Sequence, residues 1–245
     1  MAAASLVVNE IFLSVQGEST FAGLPCVFVR LTACPLRCSY CDTAYAFTEG
    51  RRLELKEIMQ EVRRLAAPWR ERGGLLPLPL VEVTGGEPLA QPQSLPLLAA
   101  LCDAGYVTLL ETSGALDIAP VDGRVRRIVD LKCPGSGEAA RNRWENLKHL
   151  KATDELKFVI TSHQDYEWAR EQVTSRRLAE LCPVLFSWAA PLTEAQRDPS
   201  LKPLPAGHVP LSRQELAGRI LADGLPVRFQ TQLHKIIWAP DQRGV

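Results

Sequence analysis

Thr32-Ala33-Cys34-Pro35-Leu36-Arg37-Cys38-Ser39-Tyr40-Cys41-Asp42-Thr43 is the stretch around which the rest of the chain is organised. Its cysteines follow the spacing C-x3-C-x2-C, which lets three thiolates from one loop converge on one centre. No histidine or further cysteine follows closely enough to complete a tetrahedral set. A structural zinc site takes four protein ligands, and iron–sulfur clusters are usually held by four cysteines. Three ligands leave one metal position open for another molecule. Spacing alone also permits zinc with a distant fourth ligand, such as Cys26, Cys133 or one of the four histidines.

A second motif separates these readings. The strand-like run before it ends in Thr84-Gly85-Gly86-Glu87-Pro88. Alone this is a turn whose glycines let the backbone approach a ligand and whose glutamate can accept from an ammonium group. Following the cysteine loop on a strand–loop–helix unit, it resembles the Gly-Gly-Glu motif of the radical S-adenosylmethionine (SAM) superfamily. That resemblance implies a 4Fe-4S cluster on Cys34, Cys38 and Cys41. Its open iron would chelate the amino-acid end of SAM, and the cofactor carries the radical chemistry. It further implies that Gly86 and Glu87 meet the SAM amino group and that Tyr40 lies near the adenine, packing being the alternative role for Tyr40.

Composition narrows the class. A chain of 245 residues suits one large or two small domains. Lys+Arg and Asp+Glu both number 28, so no net field favours nucleic acid or an anionic membrane. No apolar run reaches the ~18 residues of a membrane span, and residues 1–10 lack the basic region and long apolar core of a signal peptide. Seven cysteines, an odd number, argue against a secreted disulfide framework and for a reducing cytoplasm.

Along the chain, strands are expected at 6–11, 25–31, 80–83, 106–110, 127–131, 155–160, 183–186 and 227–233, with a loop at 13–20. Apolar residues at 55, 58, 59, 62, 65 and 66 have helical spacing, followed by a Pro/Gly-rich loop over 68–79. Helices are expected at 94–104, 144–150, 164–181 and, from the capping box Ser212-Arg213-Gln214-Glu215, to Asp223. Residues 189–210 carry five prolines and no periodicity, the pattern of an irregular insertion. Alternating strands and helices imply an α/β fold with a mostly parallel sheet. About six such strands are too few for a full barrel, so a partial (β/α)6-type radical SAM barrel in a single domain over 1–245 is expected.

The resemblance narrows further. Ser14-Val15-Gln16-Gly17-Glu18, Phe28-Val29-Arg30-Leu31, the cysteine motif, Asp42-Thr43-Ala44-Tyr45, Thr84–Pro88 and Asp130-Leu131-Lys132 occur in the order of the 7-carboxy-7-deazaguanine synthase family. The likeness spans nearly the full chain and is densest from 9 to 47. It implies a carbon–nitrogen lyase of queuosine and deazapurine biosynthesis, acting on 6-carboxy-5,6,7,8-tetrahydropterin. A 5′-deoxyadenosyl radical would take hydrogen from C6, the ring would contract, and ammonia would leave. Under this resemblance Val15, Gln16 and Gly17 face the pterin, Arg30 forks onto its carboxylate, and Thr84 contacts the substrate. Asp130, Leu131 and Lys132 lie near SAM, although a strand-end ion pair is the plain alternative. The Thr43 hydroxyl would ligate a Mg²⁺ that also binds the substrate carboxylate, and the Val245 α-carboxylate would fold back onto the pterin. Glu111 ends a strand toward the site without an assignment between SAM and substrate. A flavodoxin or ferredoxin reductant and a homodimer are also implied.

Two features depart from the family pattern. Ser19 stands where glycine is frequent, and 189–210 has no assigned role. Cys26, Cys102, Cys133 and Cys182 read as ordinary buried thiols. Two rivals remain at this stage. An activase acting on a partner protein would need a peptide surface rather than the Gln16/Arg30 pocket, and a non-catalytic module would bind zinc.

Overall fold

A computed structural model describes residues 4–70 and 79–245 of the chain. Strands β1 (Ser5–Val15) and β2 (Pro25–Leu31) form an antiparallel pair, and β3 (Arg51–Glu54) joins the outer edge of β1. From β2 onward every pairing is parallel: β4 (Leu80–Gly85), β5 (Thr108–Thr112), β6 (Arg126–Leu131), β7 (Glu155–Ile160), β8 (Val184–Trp188) and β9 (Arg228–Thr231). The described sheet has nine strands in the order β3-β1-β2-β4-β5-β6-β7-β8-β9 and remains open. The expected α/β class with a mostly parallel sheet is therefore present. The parallel run is longer than the expected six strands, and an antiparallel pair lies outside it.

Helices α1 (Leu55–Arg70), α2 (Ser94–Asp103), α3 (His163–Ser175) and α4 (Arg213–Ala222) join successive strands. Crossovers of this kind require apolar residues on alternate strand positions, and Val27, Val29, Leu31, Val81 and Val83 are fully buried in the main core. Phe158 meets Phe186 edge-on at 5.6 Å, and Tyr166 of α3 meets Phe186 at 6.1 Å, a favoured aromatic arrangement. On the opposite face, Cys26, Leu80, Leu109 and Ile128 form a smaller apolar layer. Above that layer, the same alternating positions become polar.

Several element boundaries differ from the sequence expectation. The loop expected at 13–20 begins later, because Leu13, Ser14 and Val15 pair with Val27, Cys26 and Pro25. Helix α1 continues through Pro68 to Arg70, so the proline falls in its last turn, where the helix has little further to run. Of the loop expected at 68–79, residues 71–78 lie outside the described residues. Residues 144–150 form 3₁₀ turns over Trp144–His149 rather than an α-helix. The single helix expected over 164–181 stops at Ser175, where Arg177 takes a left-handed φ of 54° and a short turn, Leu178–Glu180, follows. The last strand ends at Thr231 and gives way to the four-residue α5 (His234–Ile237).

Candidate active site

The carboxyl ends of the parallel strands enclose a cavity of about 560 Å³, where open α/β sheets place their ligands. Its floor is made by alternation. Arg30 on β2, Glu82 and Thr84 on β4, Glu111 on β5, Asp130 on β6 and Lys157 on β7 all line it. Their strand neighbours point into the helix-covered core.

Cys34, Cys38 and Cys41 all stand on the wall of this cavity. The loop between them is fastened to the segment after β6. Ser39 N donates to Ser136 O at 3.0 Å, Ser39 Oγ to Gly135 O at 2.5 Å, and Arg37 N to Glu138 Oε1 at 2.8 Å. Gly135 is in turn gripped by the buried Asp165, whose Oδ1 accepts from its N–H at 2.6 Å. A Cβ at Gly135 would lie 2.4 Å from Asp165 Oδ2, so only glycine fits there. Burial raises the pKa of all three thiols, Cys38 to about 11 and Cys41 to about 12, while Lys132 pulls each down. Metal binding therefore has to displace protons from them.

Among the described residues, no three His, Cys, Asp or Glu side chains close on one point tightly enough to grip a single metal ion. Three thiols spaced around a shared cavity suit a polynuclear cluster, which takes one thiolate per iron. Cys26 and Cys133, the distant zinc ligands considered above, are packed in the two apolar cores.

The expected SAM residues divide. Gly86 lies against the cysteine loop: a Cβ there would meet Ala33 O at 2.2 Å and Cys34 Cβ at 2.9 Å. The two glycines thus admit the loop's own backbone as well as opening the wall. Tyr40 Oη and Asp130 Oδ1 are buried without a hydrogen-bond partner, and both residues line the cavity. Unsatisfied buried polar atoms are rare, and these two fit a polar ligand such as SAM. Lys132 Nζ donates to Asp130 Oδ2 at 2.9 Å. Burial opposes its charge, but Asp130 and the thiols of Cys38 and Cys34 outweigh it and hold its pKa well above the usual lysine value. Glu87 and Leu131 do not line the cavity. Glu87 is fully buried, and its carboxylate accepts from Leu89 N, both groups of Ser113 and the Thr112 hydroxyl. Its geometry is that of a joint between β4 and β5 rather than an open ammonium acceptor. Leu131 is packed in the main core, so only its main chain is available to a ligand.

On the other side, Val15, Gln16, Gly17, Arg30, Thr84 and Val245 line the same cavity. Gln16 Oε1 accepts from Glu18 N and Ser19 N, both at 2.8 Å, and Nε2 donates to Glu82 Oε2 at 3.0 Å. The side-chain carbonyl expected to read the pterin is thus occupied in shaping its own loop. Arg30 Nε donates to Glu10 at 2.8 Å, leaving its two terminal nitrogens for an anion. Thr84 Oγ1 donates to Glu111 Oε2 at 3.1 Å. Thr43 makes no capping bond to the turn it precedes. Its hydroxyl donates to Asp42 Oδ1 at 2.9 Å, and the residue lines the cavity, so its oxygen can still serve as a ligand to an oxygen-seeking Mg²⁺.

Sequence reading missed a set of paired charges here. Lys157 Nζ reaches Glu18 Oε2 at 3.1 Å, Asp130 Oδ2 at 3.8 Å and Glu111. Lys235 pairs with Asp42 at 2.5 Å, and Gln232 Nε2 donates to both Glu18 and Asp42. His234 packs so closely on Gly17 that a Cβ there would fall 2.8 Å from its Nδ1. The signal for Glu82 and Lys157 was available: each is a charge interrupting an apolar strand, as Arg30 is. Lys235, His234 and Gln232 carried no such signal, since a short exposed-looking tail segment precedes no motif.

The model of the radical SAM superfamily matches residues 29–135. A 7-carboxy-7-deazaguanine synthase from Koribacter versatilis is 45% identical over 97% of this chain and 99% of its own. One from Chlorobaculum tepidum is 42% identical over 99% and 98%. Among solved structures, QueE from Escherichia coli superposes with a TM-score of 0.65 at 20% identity, covering 94% of this chain and 95% of that one. Streptococcus suis SuiB bound to S-adenosylmethionine gives 0.55 at 16% identity over 82% and 48%.

Proposed function

Since the chain belongs to the 7-carboxy-7-deazaguanine synthase family of radical SAM enzymes, we propose that it converts 6-carboxy-5,6,7,8-tetrahydropterin into 7-carboxy-7-deazaguanine with loss of ammonia. The observation that carries this reading is the sharing of one cavity. The three thiols and Gly86 stand on its wall together with Arg30, Thr43 and Thr84. In this reading the whole chain is one radical SAM domain.

When bound, the 4Fe-4S cluster with SAM supplies the radical chemistry, and Mg²⁺ supplies a Lewis acid at the substrate carboxylate. Cys34, Cys38 and Cys41 hold the cluster, and Lys132 offsets the negative charge of the thiolates. Tyr40, Gly86, Asp130 and Lys132 bind SAM, with the Leu131 main chain between the last two. Arg30 presents its free terminal nitrogens to the pterin carboxylate, steadied by Glu10, and Thr43 offers its hydroxyl oxygen to the metal. The main chain of Val15, Gly17 and Val245, with the Thr84 hydroxyl, orients the ring. Glu18 and Glu111, paired with the buried Lys157, hold a fixed set of charges below the ring. A flavodoxin or ferredoxin supplies electrons, and the enzyme works as a homodimer.

Anaerobic incubation of iron-reconstituted protein with SAM, dithionite and the pterin should yield 7-carboxy-7-deazaguanine. Zinc in place of iron and sulfide, with no product, would contradict the reading. The metal part has its own test. Thr43→Ala should keep iron and sulfide while losing most of the Mg²⁺ stimulation, and equal stimulation in both proteins would remove that role from Thr43.

A further inference from the structure

The proline-rich segment 189–210 is built into the cavity. Ala195, Gln196 and Asp198 stand on the cavity wall. Its two ends of contact lie on different parts of the site.

At one end is the cysteine loop. Arg37, between Cys34 and Cys38, is held through both of its main-chain groups. Its N–H donates to Glu138 Oε1 at 2.8 Å, and its carbonyl accepts from Lys202 N at 3.0 Å. Lys202 Nζ then pairs with Glu138 Oε2 at 2.9 Å and donates to Gly137 O at 2.6 Å. The triangle closes on itself: loop, post-β6 segment and insertion each bond the other two. Glu138 is 5% exposed, so its charge is well shielded by these partners. Gly137, at a φ of 72°, lies under the Lys202 stem, where a Cβ would come within 2.9 Å of Cδ. At the other end, Gln196 Nε2 donates to Pro240 O at 2.8 Å, and its Oε1 accepts from Thr193 N at 3.0 Å. Pro199 stiffens the span between these anchors by limiting its unfolded alternatives.

We propose that residues 193–202 are a working wall of the active site. Lys202 with Glu138 are positioning residues for the cysteine loop, and Gln196 is a positioning residue for the segment at 240. This rests on reading the cysteine loop as the cluster site. A cluster survives only while its thiolates are held together, and a residue clamped on both faces between two of them fixes their spacing. Groups supporting metal ligands characteristically govern metal retention in this way.

The test is the rate at which anaerobically reconstituted protein loses its visible cluster absorbance to an iron chelator, followed beside a thermal melt. Glu138→Ala should lose the cluster about tenfold faster than the parent. Lys202→Met keeps the aliphatic cover over Gly137 and the main-chain bond to Arg37 but removes a part-exposed ion pair and the bond to Gly137 O, so about threefold is expected. Gln196→Ala should match the parent in cluster lifetime but raise KM for the pterin about threefold, the loss of one exposed hydrogen bond. A parent protein that assembles no cluster would overturn the reading of the cysteine loop and this inference with it. A cluster-bearing parent whose Lys202→Met form, with an unaltered melt, loses iron at the parental rate would overturn the role of the wall alone. An unchanged pterin KM in Gln196→Ala would overturn its hold on the segment at 240.

Discussion

Glu82 and Glu111 stand on neighbouring strands facing one cavity, and the fold treats their charges oppositely. Burial pushes the Glu82 carboxyl up, and the charge of Glu111 pushes it further. Burial opposes the charge of Glu111 as well, but Lys157 and the Thr84 hydroxyl outweigh it and bring its pKa down. For Glu82 the folded state prefers the proton. Its stabilising contribution is complete below the ordinary glutamate range and is lost as pH rises through the raised value. Glu82→Gln, which keeps the Gln16 acceptor without the charge, should therefore lose less stability on going to alkaline pH. The advantage expected is about 1–3 kcal/mol, read from chemical denaturation at several pH values. Identical pH profiles would show that Glu82 ionises freely. Cysteines offer a simpler contrast. Cys38→Ala should abolish iron binding and SAM cleavage, whereas Cys102→Ala, away from the cavity wall, should leave both largely intact. Full iron content in Cys38→Ala would refute the cluster assignment. The thiol triad and Arg30 were legible because each breaks a local pattern. Glu87 was legible as a motif residue, yet its four donors could be seen only once Leu89, Thr112 and Ser113 were placed beside it.

Loops rather than strands separate what the sequence reveals from what it hides at the level of elements. The cysteine loop is recognisable from its own residues, but its fastening to Gly135, Ser136 and Glu138 joins positions about a hundred residues apart, and nothing local encodes that. The 3₁₀ turns and the left-handed Arg177 that divide the expected helix at 164–181 arise from packing, which overrides propensity. Strand β3 was unexpected because Arg51 to Glu54 has no alternating pattern; pairing with Ser5–Val8 makes it a strand. Residues 240–245 line the cavity, in the place where the family resemblance puts Val245. Arg243 explains how: its guanidinium lies 3.8 Å from the Tyr45 ring centroid and pairs with Glu49 at 2.7 Å. Both contacts are partly solvated, so together they contribute about 1 kcal/mol. Arg243→Ala should raise KM for the pterin about fivefold by that amount, with kcat and cluster content unchanged. An unaltered KM would mean that the segment is held by other contacts or does not close the pocket.

The molecule as a whole is an open, mostly parallel sheet whose polar concave face is the site and whose other face is covered by helices. Alternation of strands and helices was enough to anticipate that architecture, and motif order was enough to anticipate which strand ends converge. Strand β3, its antiparallel pairing with β1 and the convergence of the 193–202 segment on the cavity depend on contacts between distant residues. Among the described residues no helix is long and apolar enough to cross a membrane. The central claim is that these converging ends hold a pterin with its C6 hydrogen presented to radical chemistry. Pterin carrying deuterium at C6, incubated anaerobically with reconstituted protein, SAM and dithionite, tests this most directly. The account predicts deuterium in the 5′-deoxyadenosine recovered alongside the deazaguanine product. SAM cleavage that leaves all deuterium on the pterin, or product formed without labelled 5′-deoxyadenosine, would contradict it.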